Sequence, residues 1–258
     1  MTERKQLKSD IAWIGPDRIM VRGFDLCHDI LGRINLGDMA FLQLKGRMPT
    51  AQESIVFNAI AVTLVEHGMT PTAIAARVTY SGAPEAMQAA VAAGLCGMGS
   101  EHAGAIENAA RILQEALPDP KAPADLDVLA REVVERHAQT QSIPGIGHHF
   151  HVPVDPRAPR LFEIACANGL AGPYVSLMQS IARHAEKSYG KTLPINAPGA
   201  IAAIASELAL PWQIVRGIGV MARAIGLVGH ILEEMREPMT REIQARVGEE
   251  ATAHLRPA

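Results

Sequence analysis

The chain has 258 residues, 48% of them hydrophobic but only 4% aromatic, and carries a formal net charge of −3. That balance gives no basis for a nucleic-acid ligand or an anionic membrane surface, and no stretch reads as long and apolar enough to span a bilayer. Three cysteines, Cys27, Cys96 and Cys166, stand at unpatterned spacing, which argues against a disulfide framework and for reduced, mostly buried thiols in a cytoplasmic protein.

The apolar set is built from Ala, Leu, Ile, Val and Met, which favours closely packed helices over a sheet. The N-terminal M-T-E-R-K-Q-L-K-S-D lacks the apolar run of a signal peptide, and residues 1–20 read as an arm or a short strand around Ile11–Ile14. Val21-Arg-Gly-Phe-Asp25 leads into a short helix over Leu26–Leu31. The spacing of Leu42-Gln-Leu-Lys-Gly46 predicts a helix ending at the glycine. Thr50 with Glu53 forms a capping box for a helix reaching about Gly68, and Thr70-Pro71-Thr72 restarts a helix. Ser81-Gly-Ala-Pro84 breaks the pattern. Glu85–Leu95 resumes it with small residues, as a buried helix or subunit contact. A glycine-dense segment, Gly94–Gly104, contains Glu101 and His102 and runs into a helix over Ala105–Leu117. Pro118–Pro123 reads as a surface linker, and Ala124–Thr140 as an amphipathic helix. Further helices are predicted over Pro159–Asn168, Pro173–Tyr189, from Leu193 to near Leu210, and from Trp212 to Met235, with a charged tail after Pro238. That makes roughly ten helices, no alternating strand and an all-α chain.

The densest chemistry lies in Ile143–Arg157, I-P-G-I-G-H-H-F-H-V-P-V-D-P-R. Gly145 and Gly147 allow backbone conformations closed to other residues, so the loop is expected to present amide N–H groups to a phosphate or carbonyl oxygen. His148, His149 and His151 change charge near neutral pH, and Arg157 supplies a fork suited to carboxylates. A polar connection between helices is the plain alternative. A metal site is a second one, although zinc ligands usually come from more widely spaced positions.

Several segments, in order, resemble the citrate synthase superfamily and within it the citryl-CoA lyase branch. They are V-R-G-F-D-L-C-H-D-I-L-G-R-I-N-L-G-D-M-A-F-L-Q-L-K-G-R-M-P-T, V-E-H-G, S-G-A-P-E, G-M-G-S-E-H-A-G-A, P-G-I-G-H followed by D-P-R, L-P-I-N-A-P-G-A-I and A-R-A-I-G-L-V-G-H-I-L-E-E, spanning residues from about 20 to 240. The resemblance implies a citrate-synthase-like helical fold occupying residues 1–258. A large helical part covers about 20–145 plus 200–258 and a small one about 146–199, with the active site in the cleft between them. It implies a homodimer or higher homo-oligomer, a CoA thioester and a 2-oxo acid as small-molecule partners, and no metal, no permanently bound cofactor, no nucleic acid and no membrane. By the same resemblance His148 contacts the substrate's oxo or hydroxyl oxygen. Pro144, Gly145, Ile146, Gly147 and Asn196 meet CoA. Arg157 and Arg223, with His149, bind substrate carboxylates.

Two positions depart from the family pattern. Pro198 stands where an N-V-D motif has its catalytic aspartate, and Pro84 where S-G-A-H has its histidine. Proline neither gives nor takes a proton, so Glu101 or His102 is expected to supply the missing acid–base function, with His149 as a further substitute. The expected reaction is cleavage of citryl-CoA, or a close 3-hydroxy-3-carboxyacyl-CoA, to acetyl-CoA and oxaloacetate. Two other readings stand beside it: condensation of an acyl-CoA with a different 2-oxo acid, and a CoA-binding paralogue without catalysis. No nucleotide-activating region accompanies these motifs.

Overall fold

In the computed structural model, which describes residues 7–100 and 104–256, eleven α-helices follow a small N-terminal sheet. The sheet is an antiparallel meander of β1 (Ala12–Ile14), β2 (Ile19–Val21) and β3 (Phe24–Asp25). β1 falls where a short strand is one reading of Ile11–Ile14, while β2 and β3 correct the expectation of no further strand. Elements of two or three residues are too short to display alternation in a sequence. Arg22 (φ 50°) and Gly23 (φ 85°) form the two-residue turn between β2 and β3, where two positive φ values match the twist of a tight hairpin. A single π-type turn, Leu26–Ile30, follows, and Val21, Ile30 and Leu42 close a small core beneath the sheet.

Capping chemistry sets the next boundaries. Asn35 caps α1 (Leu36–Lys45), which ends at Gly46 in the left-handed region. Thr50 and Glu53 make the predicted capping box of α2 (Ala51–Val65). Pro71 opens α3 (Pro71–Gly82), which pairs with α4 (Met87–Cys96). On α4 only Ala90 and Gly94 are buried, so the small-residue helix expected to be buried is mostly exposed in the single chain. The order continues with α5 (Gly104–Ala116), α6 (Leu126–Arg136), α7 (Arg157–Ala167) and α8 (Pro173–Tyr189). It closes with α9 (Ala197–Glu207), α10 (Trp212–Arg236) and α11 (Thr240–Thr252), the last lying in what reads as a charged tail.

The main core is organised around α9. From Ala200 to Ala205 every residue is fully buried, so this helix is apolar on all sides and packs against α5, α7 and α8. Full burial of Ile201 and Ile204 contributes about 2 kcal/mol each. Along the other side α10 crosses α2, α3, α4 and α5. Its 25 residues are long and apolar enough to cross a membrane by length and composition, which corrects the sequence reading that no such stretch exists. Here part of its apolar surface lies in the protein core, together with buried Arg223 and Glu234, and part faces solvent. The cysteines are also corrected: Cys27, Cys96 and Cys166 are free and exposed. Cys166, for example, sits one residue past buried Ala165 and so faces solvent.

Candidate active site

The glycine loop is held by α9. Gly145 (φ 91°) packs directly on Gly199, where a Cβ on Gly145 would lie 2.7 Å from the Gly199 Cα. Ile146 forms a bridge with Ile195, and the Gly147 N–H donates to the Pro194 carbonyl at 2.7 Å. The Ile146 N–H donates to the Ile143 carbonyl at 3.0 Å. These two amides are therefore satisfied internally, which corrects the expectation that they face a ligand. Asn196 clamps the loop from the other side. Its Oδ1 caps α9 by accepting from Gly199 N–H at 3.0 Å, and its Nδ2 donates to the Gly147 carbonyl at 2.7 Å. Asn196 thus works as cap and tie. Pro144 is half-buried on the same loop.

Past the loop the chain turns His148 back over itself. Its Nδ1 accepts from the N–H groups of Phe150 (3.1 Å) and His151 (3.0 Å). An imidazole nitrogen that accepts carries no hydrogen, so a neutral ring has its hydrogen on Nε2. Burial first, then the neighbouring His151, lowers the His148 pKa below the usual histidine value, which keeps the ring neutral at pH 7. The Nη2 of Arg157 lies 3.4 Å from this Nε2, so one substrate oxygen can accept from both groups. The His151 ring stacks beside His148, with centroids 4.4 Å apart.

Arg157 is aimed by Asp155. The fully buried carboxylate accepts from Arg157 Nε (3.0 Å) and Nη2 (2.8 Å), and from the backbone N–H of Arg157 and Ala197. Burial alone would raise the Asp155 carboxyl. The Arg157 guanidinium and the two amides outweigh it and hold the pKa at about 2. The same Nη2 that donates to Asp155 also lies beside His148.

Across the cluster stand two groups on other elements. Arg223, on α10, is buried, and its Nη1 has no hydrogen-bond partner among the described residues. Among the described residues, the carboxylate that approaches it is that of Glu66, with Oε1 at 3.7 Å. His67 follows the end of α2. Burial, then the charges of Arg157 and Arg223, lower its pKa, so it too is neutral at pH 7. The structure therefore brings together His148, Arg157 and Arg223, predicted from the sequence, with His67 and Asp155, which were not. His67 stands within the quoted V-E-H-G, where a histidine between a helix end and a glycine was the available signal. His149 is exposed and makes no hydrogen bond among the described residues, so it does not join the cluster. Glu101 and His102 lie outside the described residues.

Asp155 is committed to Arg157 and Glu66 stands 3.7 Å from Arg223, but the Arg223 Nη1 makes no hydrogen bond among the described residues. The cluster therefore keeps a free guanidinium donor for an anion beside neutral imidazoles that can donate or take a proton. The family model "Citrate synthase, C-terminal domain" matches residues 8–246. The chain belongs to the citrate synthase family. Its fold superimposes on citryl-CoA lyase from Hydrogenobacter thermophilus with a TM-score of 0.81 and 34% identity, covering 90% of this chain and 88% of that one. It is also similar to ATP citrate lyase from Methanothrix soehngenii (TM-score 0.75, 22% identity, 92% of this chain and 40% of that one). Citrate synthase from Thermotoga maritima gives a TM-score of 0.63 at 17% identity, over 79% of this chain and 55% of that one. A search of curated proteins finds no match.

Proposed function

We propose that the chain is a CoA-dependent carbon–carbon lyase that cleaves citryl-CoA, or a close 3-hydroxy-3-carboxyacyl-CoA, into acetyl-CoA and oxaloacetate. The observation that carries the reading is Arg157 Nη2 beside Nε2 of His148, with Arg223, whose Nη1 makes no hydrogen bond among the described residues, acting on the same His67 as Arg157. Two guanidinium groups suit the carboxylates of a citryl unit, and the hydrogen on His148 suits the oxygen that changes from hydroxyl to carbonyl. The similarity to the Hydrogenobacter citryl-CoA lyase over nine-tenths of the chain supports the same direction.

The reaction needs a base to take the tertiary hydroxyl proton. As that C–O becomes a carbonyl, the C–C electron pair leaves as a thioester enolate, and an acid then protonates the enolate carbon. The proton removed from oxygen is balanced by the one delivered to carbon, so the cleavage needs no oxidant, reductant or second substrate. With Pro198 and Pro84 at the two departures from the family pattern, we assign the acid–base role to Glu101 or His102. A neutral His148 donates to the oxygen rather than titrating, as a preorganised donor does. The glycine loop tied by Asn196 is the surface assigned to CoA, and the working form is assigned as a homodimer.

The test is a coupled assay in which released oxaloacetate is reduced by malate dehydrogenase. Wild-type protein should consume citryl-CoA, His148→Ala should lose about 10²- to 10³-fold in kcat, and Glu101→Gln or His102→Ala should lose a comparable factor. Normal turnover in both of the last two variants would remove the acid–base assignment. Absence of turnover by wild type would remove the reaction itself.

A further inference from the structure

Beneath the proposed substrate pocket runs a line of charged side chains with no direct part in the chemistry. Arg77, on α3, is fully buried. Its Nε and Nη2 point at Nδ1 of His230, on α10, at 3.2 and 3.0 Å, and its other contacts go to Glu233 and to Glu234 at 3.1 Å. On the opposite edge of the ring, His230 Nε2 lies 3.1 Å from Glu66 Oε1. That same oxygen accepts from the backbone N–H of His67 at 2.8 Å and of Gly68 at 2.7 Å, and faces Arg223 at 3.7 Å.

We infer that His230 is a positioning residue for the substrate pocket, acting through Glu66. A guanidinium has five donors and no acceptor, so Nδ1 of His230 must offer its lone pair. The ring hydrogen is thereby placed on Nε2, where it donates to Glu66. The helix α10 and the turn after α2 then meet at one carboxylate oxygen. Glu66 fixes the turn that carries His67 and sets a charge 3.7 Å from Arg223, without satisfying the Arg223 Nη1 that is left for substrate. Burial would raise the Glu66 carboxyl, but the His67 amide, the His230 ring and the Gly68 amide keep it low, so the oxygen stays charged in its role. The arrangement resembles the outer partners that orient a metal-bound histidine, with the substrate pocket in the place of the metal. A histidine retained only to satisfy a buried arginine would affect stability and leave substrate affinity alone.

The inference rests on the reading that Arg223 binds a carboxylate of the substrate, and the tests separate the two. In the full-length protein, His230→Leu should raise KM for citryl-CoA about tenfold while the purified variant keeps its helical circular-dichroism signal. His230→Gln, whose amide both accepts from Arg77 and donates to Glu66, should return KM to within about threefold of wild type. An unchanged KM in a folded His230→Leu variant, or a Gln variant no better than Leu, would overturn the role. Independently of any substrate, ¹⁵N shifts of the His230 ring should place the hydrogen on Nε2, and a hydrogen on Nδ1 would overturn the relay. If wild type turns over no citryl-CoA, the proposed reaction fails alone, and the ring shifts still decide the relay.

Discussion

Asp155 keeps its charge in a fully buried position because every donor around it is fixed: the fork of Arg157, the Arg157 amide and the first amide of α9. Its pKa of about 2 lies below the ordinary carboxylate value of 3.8, so its contribution is complete above that value and is lost as pH falls toward 2. The difference is worth about 2 kcal/mol. The unfolding free energy of wild type minus that of Asp155→Asn should shrink by about 1 kcal/mol between pH 5 and pH 3, measured by urea titration at each pH. A constant difference would mean that Asp155 is not ionised as the geometry requires. The same variant frees the Arg157 fork, and kcat/KM for citryl-CoA should fall about tenfold or more. The D-P-R motif points to the arginine and says nothing of the aspartate. What makes Asp155 indispensable is the Ala197 amide, which is 42 residues away in the chain.

At the scale of elements, the pocket depends on how closely α10 lies against the end of α2. Gly226 makes that approach possible, since a Cβ there would run into the Val65 carbonyl and lie 3.0 Å from Glu66 Oε2. Helix propensity favours alanine over glycine by about 1 kcal/mol in a helix interior. Overlap with a fixed carbonyl opposes it with about 1–3 kcal/mol. The clash wins, because the obstructing atom is backbone and not the tip of a flexible side chain. Gly226→Ala should therefore lower the melting temperature by several degrees in differential scanning calorimetry, and it should raise KM because Arg223 and His230 move with the helix. A higher melting temperature would show that α10 slides to accept the methyl group.

For the molecule as a whole, α10 carries an exposed apolar stripe of Ile214, Met221, Ile225, Val228, Leu232 and Met235. The spacing alternates about a 3.5-residue repeat, the pattern of a helix seam that meets another helix. Together with Leu36 and Val62 it borders an apolar groove of about 460 Å³ between α1, α2 and α10. Such a surface is costly to leave in water, and the proposed homodimer would cover it. Met221→Glu combined with Ile225→Glu should halve the molar mass seen by light scattering, with the helical signal retained. A wild-type molar mass near 27.6 kDa would refute the dimer outright.

The helices are largely legible because their signals are local. The capping box at Thr50 and Glu53, the glycine stops at Gly46 and Gly190, and proline at the start of α3 and α8 each act within a turn of the boundary they set. The strands β2 and β3 escape because two or three residues cannot show a period, and α11 escapes because a charged segment reads like a tail. The motif residues His148, Arg157 and Arg223 are visible for the same local reason: each stands in a short pattern of its own. Their meeting is a different matter, since α7, α10 and the end of α2 converge only through the packing around α9 and through the close approach at Gly226. Composition and helical periodicity already specify an all-α chain, and the ordered motifs resemble the citrate synthase superfamily. The inclusion of His67, the exclusion of His149 and the internal use of the glycine-loop amides follow from distances between segments, which no one-dimensional pattern contains.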